Sequence, residues 1–267
     1  MTGGDLAMPG GTLVHGDFSA LAATYATHRP GYSPHAIRLI LGAMRRPPAG
    51  LDAADVGAGT GIWTRQVQDA GFRRVTAVEP NDEMRRAGRE TSAGRPIEWQ
   101  AGSAERTGLA GGSADLLTMA SSFHWADFDT ALAEFRRVLR PEGWFAALWN
   151  TRYLDRSPLL LEFEAELNRL VPDMKRVSSG NSTFTDGLIA RFMDAADWSD
   201  PIYAECFHVE RMSRERYVGA WRSVNDVQVQ AGPERFAAFI DFVEKRLREH
   251  PHLDCQYRTR IWLVQRR

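Results

Sequence analysis

The sequence predicts an α/β fold: a mostly parallel, seven-stranded sheet with helices on both faces and a helical lid. Three observations carry that reading. Between residues 51 and 150, short β-rich runs alternate with amphipathic runs, the pattern of strands joined by crossover helices. A bare glycine turn, Asp55-Val56-Gly57-Ala58-Gly59-Thr60-Gly61, follows the first of those runs. Beyond Asn150 the alternation stops, and helical runs dominate with two later strand-like runs among them.

Each element has its own signal. After the glycine turn, Ile62, Trp63, Val67 and Ala70 fall on one helical face, and Gly71 suits the helix end. Val75-Thr76-Ala77-Val78 reads as a second strand ending in Glu79-Pro80. NDEMRRAGRE follows as a helix with acidic residues in its first turn. IEWQ and SADLLTMA read as the third and fourth strands. Asp127 is a good N-cap for FDTALAEFRRVLR, whose Phe128, Leu132, Phe135 and Leu139 recur at helical spacing. Pro141-Glu142-Gly143 ends that helix, and WFAALWN is the fifth strand.

In the last third, SPLLLEFEAELNRLV and TDGLIARFMDAA read as helices of the lid. IYAECFHVER is a strand, and SRERYVGAWRS is a helix capped by Ser213. PERFAAFIDFVEKRLREH is a long amphipathic helix, and YRTRIWLVQ a closing strand. The expected units are therefore a mobile N-terminus over 1–16, a core with an N-terminal cap segment over 17–150, a lid with a late strand over 151–225, and a final helix and strand completing the core sheet over 226–267.

Composition narrows the function. The chain has 267 residues, 43% hydrophobic and 25% charged, with a formal net charge of −1. No global field draws it to nucleic acid or to an anionic membrane. Cys206 and Cys255 have no metal-ligand spacing and read as free thiols in a reducing compartment. The N-terminal stretch lacks a basic region and an apolar run, so the cytoplasm is the expected location. Neither nucleic acid nor membrane is an expected partner, and the sequence leaves monomer and homodimer open.

The glycine turn is not a dinucleotide fingerprint, because Ile62 stands where the third glycine of that pattern belongs. It is not a phosphate-cradling P-loop either, since no lysine follows it. It still lets backbone amides approach a ligand closely, and Glu79, at the end of the second strand, can accept from both hydroxyls of a ribose.

Taken together, these residues resemble the class I S-adenosylmethionine-dependent methyltransferases of the group called type 11. The resemblance rests on DVGAGTG, on EPNDEM after the second strand, on GSAE after the third, and on HWADFDTALAEFRRVLRPEGWFAALWN through the fifth. FSALAATYATHRPGYS is similar to the N-terminal segment of the same group, so the likeness spans residues 17–150 and extends beyond them only in outline. It implies a Rossmann-like sheet, S-adenosyl-L-methionine as cofactor with S-adenosyl-L-homocysteine as product, and no metal.

It also implies roles. The backbone of Gly57, Ala58 and Gly59 passes under the methionine portion, with Asp55 holding the turn and reaching toward the amino group. Glu79 takes the ribose hydroxyls, and Pro80, Asn81 and Met84 wall the adenine. Ser103 stands where many relatives carry Asp, so its bond to the adenine lacks charge assistance. Ala104 and Glu105 are further contacts there, and Ser121, after the fourth strand, joins the cofactor set. On the spacing YxxxRPxY, Arg29 pairs with the methionine carboxylate and Tyr25 closes over the sulfonium. The alternative for those two is a solvated arginine and a packing tyrosine.

Methyl transfer from a sulfonium needs alignment above all. Orientation supplies ~7–11 kcal/mol, whereas a positioned base supplies ~10²–10⁴-fold. His124, just past the fourth strand, is the candidate base, and its alternative role is to shape the pocket together with Trp125. Trp149, Asn150 and Arg152 leave the fifth strand at the same edge, while Trp221, Arg222 and Asn225 sit in the lid. These are the candidate acceptor contacts, with His208 and Arg211 as weaker ones. The expected function is O-, N- or C-methylation of a small molecule, such as a natural product or small organic acid. A regulatory S-adenosylmethionine-binding protein with a degenerate acceptor site is the alternative. A nucleic-acid methyltransferase fits poorly, because the charge is near neutral and SSFHW stands where an NPPY-like strand end would be.

Overall fold

The computed structural model describes residues 17–175 and 183–267, so the stretch 1–16 expected to be mobile lies outside the described residues. Seven strands form one sheet: β1 Asp52–Val56, β2 Arg74–Val78, β3 Ile97–Gln100, β4 Ala114–Ala120, β5 Leu139–Arg152, β6 Ile202–Ser213 and β7 His252–Gln265. Their spatial order is β3-β2-β1-β4-β5-β7-β6. The first five strands pair in parallel, and β7 runs antiparallel to both of its neighbours. This is the expected seven-stranded, mostly parallel, Rossmann-like sheet.

Both faces are covered, which explains why the central strands read as continuous apolar runs. Along β4 and β5, side chains alternate between two cores. Leu117, Met119, Phe145 and Ala147 face one side, and Leu116, Ala146 and Leu148 the other. The first side is filled by α5 (Phe128–Val138), capped by Asp127, whose carboxylate accepts from the Thr130 N–H at 2.9 Å. The second is filled by α3 (Ile62–Asp69) and α2 (Pro34–Met44). The sequence reading did not anticipate α2, although Ser33-Pro34 is a helix-start signal and Ala36, Ile37, Ile40 and Met44 form its buried stripe. Between β2 and β3, α4 (Asp82–Thr91) is capped by Asn81. The shorter α1 (Ala22–His28) precedes all of these.

The C-terminal third differs from expectation in three ways. The run 185–196 does not form one helix of the lid. It divides at Gly187 into α7 (Thr183–Asp186) and α8 (Leu188–Met193), and Leu188 and Phe192 join the sheet core beside Phe145. The last helix does not pack on the core sheet. α10 (Asn225–Arg246) contains a break at Gly232, whose φ is +71°, and its Phe239, Ile240 and Val243 pack with α6 (Pro158–Leu170) and α9 (Arg214–Arg222). The expected boundary at 225/226 thus falls inside this helix. Periodicity shows that a stripe is buried without showing which surface buries it. The lid core also takes Met212 of β6 with Leu253, Cys255 and Tyr257 of β7, because that hairpin outruns the sheet. Both thiols are buried and unpaired. None of the described helices is long and apolar enough to cross a membrane.

The N-terminal ends of the strands are stapled by two buried carboxylates. Asp52 accepts from Arg73 at 2.9 and 2.6 Å and from Arg140 at 2.8 Å. Asp115 accepts from Arg140 at 2.6 Å, from Arg46 at 3.1 Å and from the Asp52 N–H at 2.9 Å. Arg140 therefore bridges both. The Arg73 hydrogen bonds hold the Asp52 carboxyl well below its ordinary range, at about 2. A group lowered in this way stabilises the fold fully above its unfolded pKa, and that stability is lost as the pH falls through the folded value. Arg140→Ala should cost ~1–3 kcal/mol in urea unfolding at pH 7. The gap between wild type and Asp52→Asn should be complete above ~pH 4 and shrink toward pH 2. A gap that is constant across that range would show that Asp52 is not ion-paired.

Candidate active site

One cavity of about 530 Å³ opens at the C-terminal ends of the parallel strands. It lies where the strand order reverses between β1 and β4, the usual ligand position in open α/β sheets. Its size is ordinary for a site that holds a small ligand.

The floor is the glycine turn. Gly57, Gly59 and Gly61 have φ of +64°, +56° and +76°, a region that side chains disfavour. A Cβ on Gly57 would stand 2.7 Å from Ser122 Oγ. Glu79 lies beside the turn, 6% exposed. Its carboxylate accepts from the Gly59 N–H at 2.7 Å and from the Asn81 N–H at 2.9 Å. Burial pushes its pKa up, against those two bonds. An ionised carboxylate has about four lone-pair sites, so two bonds leave acceptor capacity. Pro80, Asn81, Met84, Ser103, Ala104 and Glu105 line the adjoining wall. Glu105 also anchors the next loop by accepting from the Asp127 N–H at 2.9 Å.

The N-terminal segment closes the cavity from above. Tyr25 and Arg29 both line it. Arg29 is not merely solvated: its Nε donates to Ser223 Oγ at 2.8 Å, its Nη2 to the Ser223 carbonyl at 3.2 Å, and its guanidinium lies 4.7 Å over the Tyr25 ring. The segment is thereby tied to the end of α9. Phe18 packs edge-on against Tyr25 and Trp125 at 6.1 and 6.3 Å. Ser121 lines the wall with a left-handed φ of +57°, and its Oγ accepts from the Tyr32 hydroxyl at 2.9 Å. Such a backbone at a non-glycine residue marks a constrained site. Tyr32 closes the same YxxxRPxY spacing but was not among the expected site residues.

Of the expected acceptor contacts, Trp125, Asn150 and Arg152 line the cavity. Glu164 of α6, Leu154 and Tyr257 join them, and the sequence carried no signal for these three. Helix periodicity places Glu164 on a helix without showing that this helix crosses the mouth.

Several expected residues lie elsewhere. Asp55 does not reach the cavity. It is buried beneath the turn, accepting from Thr64 Oγ1 at 2.5 Å and Thr118 Oγ1 at 2.8 Å, and burial pushes its carboxyl up to about 7. It braces the turn from below. His124 does not line the cavity either. Its Nδ1 accepts from Trp149 Nε1 at 3.3 Å and its ring sits 4.6 Å from that of Trp125, behind the wall that Trp125 forms. Trp149 is buried in the sheet core and Trp221 in the lid core. Arg222 pairs on the surface with Glu244 at 2.8 Å. Asn225 is buried and donates to the Asp17 carbonyl at 2.9 Å. His208 contacts the Gly31 carbonyl and Arg211 lies near Asp254, both away from the cavity. Large aromatics near a sheet edge are core more often than wall, which the sequence could not resolve for Trp149 and Trp221.

Comparison with known proteins places this geometry. The family model described as a methyltransferase domain matches residues 54–147. An uncharacterized methyltransferase of Mycobacterium tuberculosis is 37% identical over 139 residues, 51% of this chain and 52% of its own length. The chain thus spans about half the length of that relative. The ubiquinone/menaquinone biosynthesis C-methyltransferase of Caulobacter vibrioides is 30% identical over 176 residues, 61% of this chain and 69% of its own length. A solved chain from Anaeromyxobacter dehalogenans, described as a candidate type II methyltransferase, shares the fold with a TM-score of 0.59. It has 24% identity, and the alignment covers 90% of this chain and 97% of that one.

The Asp55 brace has a measurable signature. A carboxyl that titrates higher in the folded than in the unfolded state makes the fold lose stability as pH rises from about 4 to about 7. Asp55→Asn keeps an oxygen for one threonine hydroxyl, turns an amide N–H toward the oxygen of the other, and cannot ionise. In urea unfolding from pH 4.5 to 8, wild type should weaken relative to Asp55→Asn by up to ~1.4 kcal/mol per pH unit below pH 7. Parallel curves would show that the carboxyl ionises as freely in the fold as outside it.

Proposed function

The chain belongs to the class I S-adenosylmethionine-dependent methyltransferases of the type 11 group, and on that premise we propose that it methylates a small-molecule acceptor held at the lid end of its cavity. The observation that carries the reading is the pairing of Glu79 with the glycine turn on one side of a continuous cavity, with Asn150, Arg152, Glu164 and Tyr257 at the other side.

The cradle residues fit the cofactor. Glu79, already fixed by the Gly59 and Asn81 amides, presents its remaining acceptor sites to two ribose hydroxyls. A Cβ at Gly57 or Gly61 would collide with Ser122 or Trp99, so the turn keeps a bare backbone toward the cavity. Met84 and Pro80 offer an adaptable apolar wall to a flat ring. Tyr25 and Arg29 cover the methionine side. When bound, S-adenosylmethionine supplies a methyl group on a sulfonium whose positive charge already activates the leaving group.

The protein's contribution is then alignment and exclusion of water. Ser121, tied to Tyr32, fixes the loop after β4, and Phe18 and Trp125 narrow the mouth. The lid core holds α6 and α9 above the acceptor end. No base is assigned: His124 stands off the cavity, and orientation can supply most of what this displacement needs.

Two outcomes test the proposal. By calorimetry, Glu79→Ala should bind S-adenosylhomocysteine at least ~tenfold more weakly than wild type, because two charge-assisted bonds are lost. Unchanged affinity in a folded variant would end the reading. A screen in which S-adenosylhomocysteine accumulates only with certain small acceptors separates an enzyme from a protein that merely binds the cofactor. The N-terminal segment gives a second expectation. Its own core is small, with Ala22 packed against Met84 and Ala87. Amide exchange over residues 17–32 should slow when S-adenosylhomocysteine is added. Equal exchange with and without it would make the segment a fixed strut.

A further inference from the structure

At the lid end of the cavity stands a guanidinium that the protein clamps but pairs only loosely with a carboxylate. Arg152 is the last residue of β5, and its side chain is 13% exposed. The guanidinium lies 3.9 Å over the Trp221 ring and 5.8 Å from that of Tyr217. The Tyr257 hydroxyl oxygen accepts one hydrogen bond from it, leaving most of its five donors for a ligand. Among the described residues, the carboxylate that reaches it within 4 Å is that of Glu164, at 3.7 Å. A charge-assisted N–H···O bond measures ~2.7–2.9 Å, so this contact is loose.

A buried charge is costly unless it is both paired and hydrogen-bonded. Arg29, the other guanidinium of the cavity, is already bound to Ser223. Arg152 is different. Its plane is fixed by the indole face, and its five donors form a fork that matches a carboxylate in two parallel bonds. Leu154, Ala220 and Val224 supply an apolar wall beside it.

Resting on the methyltransferase reading, we propose that Arg152 is the specificity-determining anchor of the acceptor, and that the acceptor is a small organic acid whose carboxylate takes the Arg152 fork. Its aryl or alkyl body lies against the apolar wall. Glu164 is the internal competitor that the incoming carboxylate displaces. This places the acid-recognising cation on the face of Trp221, while the next residue of the same helix, Arg222, pairs with Glu244 on the surface.

The test uses the full chain saturated with S-adenosylhomocysteine. A panel of aryl and alkyl carboxylates, with phenylacetate as the reference, is titrated by ligand-observed NMR alongside the matching primary amides and phenyl phosphate. Carboxylates should bind, and their amides should bind at least ~tenfold more weakly. Arg152→Met should abolish that preference, and Arg152→Lys, which keeps the charge without the fork, should retain part of it. Glu164→Gln should bind carboxylates at least as tightly as wild type, because the competing charge is gone. The proposal is overturned if no carboxylate in the panel binds, if acids and amides bind alike, if only phenyl phosphate binds, or if Glu164→Gln loses the acids. Should Arg152→Met not fold, the Lys and Gln variants decide. S-Adenosylhomocysteine affinity is measured throughout. Its absence in wild type defeats the methyltransferase reading, whereas its presence with no acid preference defeats only the role of Arg152.

Discussion

The carboxylate of Glu79, gripping the Gly59 and Asn81 amides, ties the end of β1 to the end of β2, and the cavity is built outward from that tie. The turn it holds has three left-handed glycines, which an unsupported chain would abandon at little cost. Asp55 supports the same turn from below through Thr64 and Thr118, so two acidic side chains on successive strands fix one short loop. Each is shifted upward by burial, because the loop must be held in a place with little water. At this edge burial outweighs the hydrogen bonds that favour the ionised form.

The opposite edge shows the contrast. Asp52 and Asp115 are as deeply buried, but arginines surround them, and Asp52 is shifted downward. One end of the sheet therefore carries carboxylates satisfied by cations, which serve the fold. The other carries carboxylates satisfied by backbone amides and hydroxyls, leaving acceptor capacity for something else. Perturbed carboxylates of the second kind gather at functional sites more often than those of the first.

Above this edge the lid is a separate hydrophobic core, made by α6, α9 and α10 on the overhanging ends of β6 and β7. It is tied to the N-terminal segment by Arg29, which donates to Ser223. The close seating of His28 against Gly219, where a Cβ would stand 2.2 Å from the ring, adds a steric link. Both links belong to the N-terminal segment, so that segment couples the glycine-turn side of the cavity to the lid. Asp17, which accepts from Ser19 and whose carbonyl accepts from Asn225, makes the same connection at the segment's start.

By itself the sequence determined the parallel sheet, the glycine turn, the position of Glu79 at the end of β2 and the residues of the adjoining cavity wall. Those features depend on neighbours close along the chain: a strand period, a helix cap at Asp127, a turn in which a side chain cannot fit. Tertiary structure decided the rest. Whether Asp55 faced the ligand or the core depended on Thr64 and Thr118, which approach it from another helix and strand. Whether Trp149 and Trp221 were wall or core depended on which surface covered them, and Trp221 became the platform beneath Arg152. Glu164 and Tyr257 entered the cavity only because α6 and the β6–β7 overhang fold back over it. Local patterning selects which faces are buried, but the partner of each face is chosen by packing between segments far apart in the chain, which is how Glu164 and Tyr257 come to line the same cavity as Asn150 and Arg152.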